Sequence, residues 1–135
     1  MLFHSTRGGD KDKDFASILM QGLADDGGLF MPDHWPQVDL EKIKGLQSFV
    51  EVAKEIVPLF TASSFTQAET IKIVENTWHD FEHQDLVGIQ TIENISVLEL
   101  FHGPTAAFKD FGLQLAAAFF NEVLEKEDKT ALVLG

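Results

Sequence analysis

The last third of the chain constrains the fold most, because its apolar pattern changes from strand to helix and back to strand. Residues 95–101 are typical of a strand, residues 105–127 have the apolar spacing of a long helix, and residues 131–134 form a short apolar run. A strand, a helix and a strand in this order open a parallel α/β unit, whose crossover is normally right-handed. The sequence therefore predicts an α/β fold.

The earlier part of the chain has a mainly helical pattern. Apolar spacing and turn residues predict helices at residues 14–22, 40–46, 49–60 and 66–81. Asp14 and Gly22 suit the start and the end of the first of these helices. Thr66 and Glu69 have the spacing of a capping box at the start of the last one. Pro58 is expected to end or bend the third helix near its last turn.

These two patterns predict two units of different architecture. Residues 1–85 are predicted to form a small, mainly helical amino-terminal domain, and residues 83–88 to connect it to the next unit. Residues 91–135 are predicted to begin a second domain with a strand, a helix and a strand. A parallel unit needs further strands to bury both faces of its sheet. We therefore expect residues 91–135 to be an incomplete part of a larger domain.

The predicted long helix carries a regular apolar stripe. Its members are Phe108, Phe111, Leu115, Phe119 and Val123. Residues three and four apart share one face of a helix. The stripe therefore predicts that this helix is buried against the sheet.

One lysine at the start of this helix has mainly apolar neighbours in the sequence. Lys109 lies between Phe108 and the pair Asp110 and Phe111, just after a turn at residues 102–105. Apolar neighbours and a helix amino terminus both favour the neutral amine, which is the nucleophilic form. The pattern is thus compatible with a Schiff-base lysine. On its own, however, a lysine between two phenylalanines is more typical of an ordinary amphipathic residue whose stem packs while its ammonium reaches water.

Composition excludes several classes of function. Cysteine is absent, which excludes disulfides, thiolate metal sites and cysteine nucleophiles. The 10 basic and 22 acidic residues give a net charge of -12, which argues against nucleic-acid binding. No apolar run is long enough to span a bilayer, and the amino terminus lacks the pattern of a secretory signal. We therefore expect a cytoplasmic protein without nucleic-acid or membrane partners, in which local donors must hold any anionic ligand.

Other candidate sites are weaker. His79 and His83 lie four apart at the end of a predicted helix, but zinc requires three or four ligands and no third is obvious, so no metal site is predicted. Residues 5–7, Ser-Thr-Arg, suit either an anion site or a surface tail, and we assign Arg7 no substrate contact. His102 is expected to hydrogen-bond the turn, with proton orientation as the alternative.

Three segments together resemble one enzyme family. Residues 100–112, LFHGPTAAFKDFG, closely resemble the motif of threonine synthases that carries the pyridoxal 5'-phosphate lysine. Residues 5–8, STRG, and residues 22–32, GLADDGGLFMP, resemble the opening of bacterial-type threonine synthases, in that order. Ala106 departs from the motif, where a larger leucine is commoner. That difference concerns local packing more than chemistry.

The resemblance implies a fold, a cofactor and a reaction. It implies that residues 91–135 begin the catalytic domain of a fold type II pyridoxal-phosphate enzyme, and that Lys109 is both the cofactor-binding and the catalytic lysine. The implied enzyme is a carbon-oxygen lyase of threonine biosynthesis that converts O-phospho-L-homoserine and water to L-threonine and phosphate. Asp110 and Phe111 would help to position the lysine, although the sequence assigns them no individual roles.

The resemblance also implies that the chain is an amino-terminal portion of a longer enzyme, inactive alone. In the family, a loop rich in glycine, serine and threonine follows the strand predicted at residues 131–134 and holds the cofactor phosphate. Two alternatives remain open at this point. One is another pyridoxal-phosphate lyase or synthase of the same fold that uses a different amino acid. The other is a binding module that keeps the motif without catalysis.

Overall fold

Residues 1–133 are described by the structure, a computed structural model. In chain order the elements are β1 (Phe3–Ser5), α1 (Phe15–Gln21), β2 (Phe30–Pro32), α2 (Leu40–Lys44), α3 (Phe49–Thr61), α4 (Gln67–Glu75), β3 (Gly88–Ile92), β4 (Ile95–Glu99) and α5 (Lys109–Lys126). Both sheets of this part are two-stranded and antiparallel, with β1 paired to β2 and β3 paired to β4. The predicted mixture of helices and strands is confirmed.

Two apolar clusters hold the helices together. In one, Trp78 is buried beside α3 and α4, and its ring lies 5.0 Å from the ring of Phe49, centroid to centroid. In the other, Phe119 of α5 is 1% exposed and lies 5.2 Å from the Phe15 ring of α1 and 5.1 Å from the Phe65 ring. Leu115 of α5 packs against both clusters. Helix α5 therefore joins the two clusters and is anchored by them.

The apolar stripe of α5 is half-buried at Phe111 and Leu115 and buried at Phe119 and Val123, but the surface that covers it is not a sheet. Phe119 and Val123 are buried among side chains of α1, α4 and the loop before α4, rather than against a sheet. Phe108, at the start of the stripe, is 67% exposed. The prediction of a sheet-facing helix is therefore wrong for the described residues, because helical periodicity identifies an apolar face without identifying what covers it.

The first and third helices match the sequence predictions closely. The Asp14 carboxylate accepts a hydrogen bond from the Ser17 amide at 2.7 Å and caps α1. Gly22 follows the helix with a φ of 76°, a conformation that glycine adopts without steric cost. Helix α3 continues past Pro58 to end at Thr61, so the proline falls in the last turn.

Helix α4 starts as predicted and ends six residues early. Asn76 ends it, because its side-chain amide donates to the Lys72 carbonyl at 2.8 Å and its backbone N–H also turns back onto the helix. Trp78 then has a φ of 63°, in the left-handed region. Trp78 and Phe81 thus reach the core from a loop, so their helical spacing misled the prediction of a helix to residue 81.

The capping box of α4 gives a testable stability effect. The Thr66 hydroxyl accepts from the Glu69 amide at 3.3 Å, while the Glu69 carboxylate accepts from the Thr66 amide at 2.7 Å. We expect Thr66→Ala to lower the free energy of unfolding by about 0.5–2 kcal/mol, because the Glu69 amide loses its acceptor. Urea unfolding of the unaltered protein and of Thr66→Ala measures this difference. Thr66→Ser should keep most of the stability, and equal losses in the two variants would contradict the capping role.

Glu69 also predicts a pH effect on folding. The Lys126 ammonium, and then the Thr66 amide and hydroxyl, lower the pKa of Glu69 from its ordinary value of 4.5 to about 2. A lowered pKa in the folded state means that the stabilisation is complete above pH 4.5 and is lost as the pH falls to about 2. We expect Glu69→Gln to reduce the loss of stability in this window, as measured by urea unfolding across it. Glu125→Gln serves as the control. If stability depends on pH in the same way in Glu69→Gln and in Glu125→Gln, the lowered pKa of Glu69 is contradicted.

The strand predicted at residues 95–101 is present as β4, but it belongs to a hairpin. It pairs with β3 from Gly88↔Glu99 to Ile92↔Ile95, and Glu93 in the tight turn has a φ of 55°. The sequence prediction missed β3, because Gln90 and Thr91 interrupt its apolar residues and no Asn-Gly turn marks the hairpin. The predicted parallel pairing is absent from the described residues.

The end of the chain also differs from the prediction. Helix α5 begins at Lys109 rather than at residue 105, and Ala106 before it has a φ of 55°. Residues 131–133 form no strand, and Leu134, the last residue of that predicted strand, lies outside the described residues. No helix in residues 1–133 is both long enough and apolar enough to cross a membrane.

Candidate active site

Lys109 is the first residue of α5 and is exposed to solvent. Phe108 occupies the capping position before it and makes no side-chain capping hydrogen bond in the described structure. The amides of the first helical turn therefore carry the partial positive charge of a helix amino terminus without a side-chain acceptor at Phe108. Lys109 thus presents a primary amine at the open end of a helix.

The Lys109 amine has no acidic partner among residues 1–133. Six other lysines form ion pairs within the described structure, and they are Lys13, Lys42, Lys44, Lys54, Lys126 and Lys129. Lys11 and Lys72 share with Lys109 both exposure and the lack of an ion pair there. Lys109 is therefore not the only exposed lysine without an ion pair in the described structure, and what distinguishes it is its position as the first residue of α5.

The next residue along the helix, Asp110, is buried rather than exposed. Asp110 is only 4% exposed, although its side chain is a carboxylate. One carboxylate oxygen accepts from the Thr105 amide at 2.8 Å, and the other accepts from the Thr105 hydroxyl at 2.7 Å. A side-chain Cβ added at Gly103 would overlap the same carboxylate. Asp110 therefore closes the turn that leads into the lysine, which the sequence alone did not show.

His102 does not hydrogen-bond the turn through its side chain. Its Nε2 lies 3.0 Å from a carboxylate oxygen of Glu99, and its ring lies 4.7 Å from the His83 ring. Its backbone carbonyl accepts from the Glu82 amide at 3.0 Å. His102 thus ties the end of β4 to the loop after α4, and the expectation that its side chain bonds the turn is wrong.

The two amino-terminal motifs form one hydrogen-bonded unit. Asp26, in the second motif, accepts from the Ser5 hydroxyl at 2.6 Å, from the Gly9 amide at 2.7 Å and from the Gly28 amide at 2.9 Å. The Ser5 hydrogen bond, followed by that of Gly28, holds the pKa of Asp26 below its ordinary value. The Arg7 guanidinium donates to the Asp26 carbonyl at 3.0 Å. Sequence reasoning treated the two motifs separately and missed Asp26 as the residue that joins them.

This unit predicts that Asp26 matters more to folding than its neighbour. The two carboxylate oxygens of Asp26 share the hydrogen bonds from Ser5, Gly9 and Gly28. An asparagine side chain has only one acceptor oxygen, so Asp26→Asn cannot keep all three. We expect a lower urea midpoint of unfolding for Asp26→Asn than for Asp25→Asn, whose side chain accepts only from Gln21 in the described structure. Equal midpoints for the two variants would show that the Asp26 network does not hold the motifs together.

The structure does not bring the two candidate metal-ligating histidines onto one helix. Both His79 and His83 follow the end of α4 at Glu75. His79 lies near the Asn76 carbonyl and Asp80, whereas His83 stacks on His102. Among the described residues, no cluster of three or more histidine or acidic side chains has the geometry of a metal site.

Comparison with known proteins identifies the class to which this arrangement belongs. The family model described as "Threonine synthase N terminus" matches residues 2–78. Threonine synthase from Pseudomonas aeruginosa is 40% identical over the whole chain, and threonine synthase-like 2 from Xenopus laevis is 33% identical over 99% of it. The crystal structure of PLP-bound threonine synthase from Brucella melitensis is 40% identical and superposes on 93% of the chain with a TM-score of 0.85.

The fold is thus the one that solved threonine synthases have in their matching part. The chain belongs to the threonine synthase family. It spans 29% of the length of the Pseudomonas aeruginosa protein and 28% of the Brucella melitensis chain.

Proposed function

We propose that these residues are the amino-terminal part of a pyridoxal-phosphate-dependent threonine synthase, a carbon-oxygen lyase that forms L-threonine and phosphate from O-phospho-L-homoserine and water. The observation that carries this proposal is an exposed lysine, without an acidic partner in residues 1–133, on the first residue of α5 within the sequence motif of the family. The family membership of the chain supports it.

The residues present fit the aldehyde end of the cofactor. A primary amine that is exposed and not held by a carboxylate of the described chain can condense with an aldehyde, and Lys109 offers such an amine. The exposed ring of Phe108 beside it offers an apolar surface for a flat aromatic group. Pyridoxal phosphate, once bound, supplies an electron sink for carbanions.

In this proposal Lys109 has two tasks. Its amine holds the cofactor until substrate arrives, and the freed amine then moves protons at the substrate carbons. The exposed side chain of Lys109 and its position at a helix end suit both tasks, because the amine can move while the backbone stays fixed. Phe111 contributes indirectly, because its ring packs on Phe49 and Phe81 and anchors the first turn of α5.

The finer architecture belongs to the same proposal. We propose a mainly helical domain over residues 1–85 and the beginning of a fold type II catalytic domain over residues 91–135, in a cytoplasmic enzyme with a small-molecule substrate. The β3–β4 hairpin, which begins at Gly88 and runs into this domain, would then pack against further strands. Its exposed Ile89, Ile92, Ile95 and Leu98 support this proposal.

The test is the reaction of the full-length protein that contains these residues. We expect the protein loaded with pyridoxal phosphate to release phosphate from O-phospho-L-homoserine and to form an equal amount of L-threonine. Threonine is quantified by amino-acid analysis and phosphate by a colorimetric assay. A loaded protein that releases no phosphate would contradict the substrate assignment.

A second candidate is a related lyase that acts on another amino acid. The similarity to threonine synthase-like 2 supports this candidate, because threonine synthase and threonine synthase-like 2 both match nearly the whole chain. Loss of phosphate without threonine formation, or elimination from O-phosphoserine alone, would favour it. A protein that binds no pyridoxal phosphate would instead favour a non-catalytic binding module.

A further inference from the structure

Asp110 has an unusual environment for a carboxylate. It is 4% exposed, and within residues 1–133 no lysine, arginine or histidine pairs with it. A buried carboxylate is costly unless hydrogen bonds replace its hydration. Here the replacement comes from Thr105, which offers one donor to each carboxylate oxygen, and from the amino-terminal end of α5. No chemical step of the proposed reaction uses this buried group, for which the family resemblance implies only an unspecified part in positioning the lysine.

The contacts of Asp110 fix the backbone before the lysine. The carboxylate spans five residues to reach Thr105, and Gly103 lies so close to it that a Cβ would overlap its atoms. Between these residues Ala106 is in the left-handed region, with a φ of 55°, a conformation that costs energy for a residue with a side chain. A strained turn persists only when surrounding contacts hold it. The two Thr105 hydrogen bonds are such contacts.

The backbone just after the lysine is fixed as well. The indole N–H of Trp78 donates to the Phe111 carbonyl at 2.9 Å, and Trp78 is 3% exposed. Lys109 therefore lies between two fixed points, the Thr105–Asp110 hydrogen bonds and the Trp78–Phe111 hydrogen bond. Only its side chain is left free to move.

We propose that Thr105 and Asp110 are positioning residues that aim the Lys109 amine at the reacting atoms, an inference that rests on the function proposed above. A reacting group held in the right geometry gains a large part of its rate advantage from that geometry, and a displacement of about 1 Å can cost about 10²-fold in rate. The two hydrogen bonds set where the Lys109 Cα lies relative to the turn. Their loss releases the turn and moves the amine.

The test uses the full-length protein and isosteric variants. Thr105→Val removes the hydroxyl hydrogen bond and keeps the side-chain shape. We expect it to lower kcat by about 10–100-fold with a much smaller change in KM. Thr105→Ser restores the hydroxyl and should recover most of kcat. Thr130→Val, an exposed change outside the described helices and strands, is the matched control and should leave both parameters unchanged.

A variant of the acidic residue separates hydrogen bonding from charge. In Asp110→Asn the amide oxygen can accept from the Thr105 N–H while the amide nitrogen donates to the Thr105 hydroxyl, so the turn stays closed. Asp110→Ala loses both hydrogen bonds. We expect kcat to fall much further in Asp110→Ala than in Asp110→Asn. Equal losses in the two variants would show that the charge, rather than the hydrogen bonds, matters.

A readout independent of turnover completes the test. We expect Thr105→Val to bind one cofactor per chain but to show altered circular dichroism in the cofactor's visible band, because the lysine holds the ring in a different orientation. A Thr105→Val protein with unchanged kcat and unchanged cofactor dichroism would overturn the positioning role and leave the proposed function intact. A wild-type protein that cannot be reductively labelled by pyridoxal phosphate at Lys109 would overturn both.

Discussion

Replacing Lys109 by alanine is expected to abolish phosphate release from O-phospho-L-homoserine by the full-length protein. General acid–base transfer by a positioned side chain contributes roughly 10²–10⁴-fold to a rate, and the loss of the amine that holds the cofactor adds to this. We therefore expect kcat to fall by at least about 10³-fold. A colorimetric phosphate assay at saturating substrate and cofactor measures the change.

Two controls make this result specific. Lys72→Ala removes another lysine that is exposed and forms no ion pair in the described structure, and it should leave kcat unchanged. Lys109→Arg keeps the positive charge but cannot hold an aldehyde in the same way, so it should be as inactive as Lys109→Ala. Near wild-type activity in Lys109→Ala would contradict the catalytic assignment.

The second large effect concerns the core. Phe119 is 1% exposed and packs edge-on against the rings of Phe15 and Phe65, which belong to segments distant in sequence. Truncation of a buried phenylalanine removes apolar burial and leaves a cavity, at a cost of about 3–5 kcal/mol. We expect Phe119→Ala to lower the free energy of unfolding by this amount, as measured by urea unfolding.

A residue on the same helix provides the comparison. Leu113 of α5 is 62% exposed, so Leu113→Ala should cost less than about 1 kcal/mol. A Phe119→Ala variant no less stable than Leu113→Ala would contradict the placement of α5 against α1 and α4. Phe119→Ala also removes apolar contacts that anchor the helix on which Lys109 lies. The activity of the full-length enzyme should therefore fall as well.

Local patterns predicted the starts of α1 and α4 better than the end of α4 or the start of α5. Asp14 and Thr66 were identified as caps because their hydrogen bonds involve residues only three positions away. Helix α4 ends at Asn76, and Trp78 beyond it is buried through contacts distant in sequence, because its indole donates to a carbonyl 33 residues further along the chain. The fold of the hairpin depends on pairing between β3 and β4 that alternation in β4 alone does not reveal. The apolar periodicity of a sequence does not reveal contacts between residues so far apart in the chain.

The candidate site shows the same division. Lys109 was found from its neighbours and from the resemblance of its segment to a known motif. The burial of Asp110 was not foreseen, because a carboxylate beside an exposed lysine is usually on the surface. The spacing of Thr105 and Asp110 carries a signal only once the turn at Ala106 is known. The union of the two amino-terminal motifs through Asp26 likewise required three-dimensional contacts.

The assignment of Lys109 as the cofactor lysine is tested directly by locating the cofactor on the chain. The full-length protein is loaded with pyridoxal phosphate, reduced with borohydride, digested and sequenced by mass spectrometry. We expect a phosphopyridoxyl group on the peptide that contains Lys109, and no such group in Lys109→Ala. A phosphopyridoxyl group on another lysine, or retention of the label in Lys109→Ala, would contradict the assignment.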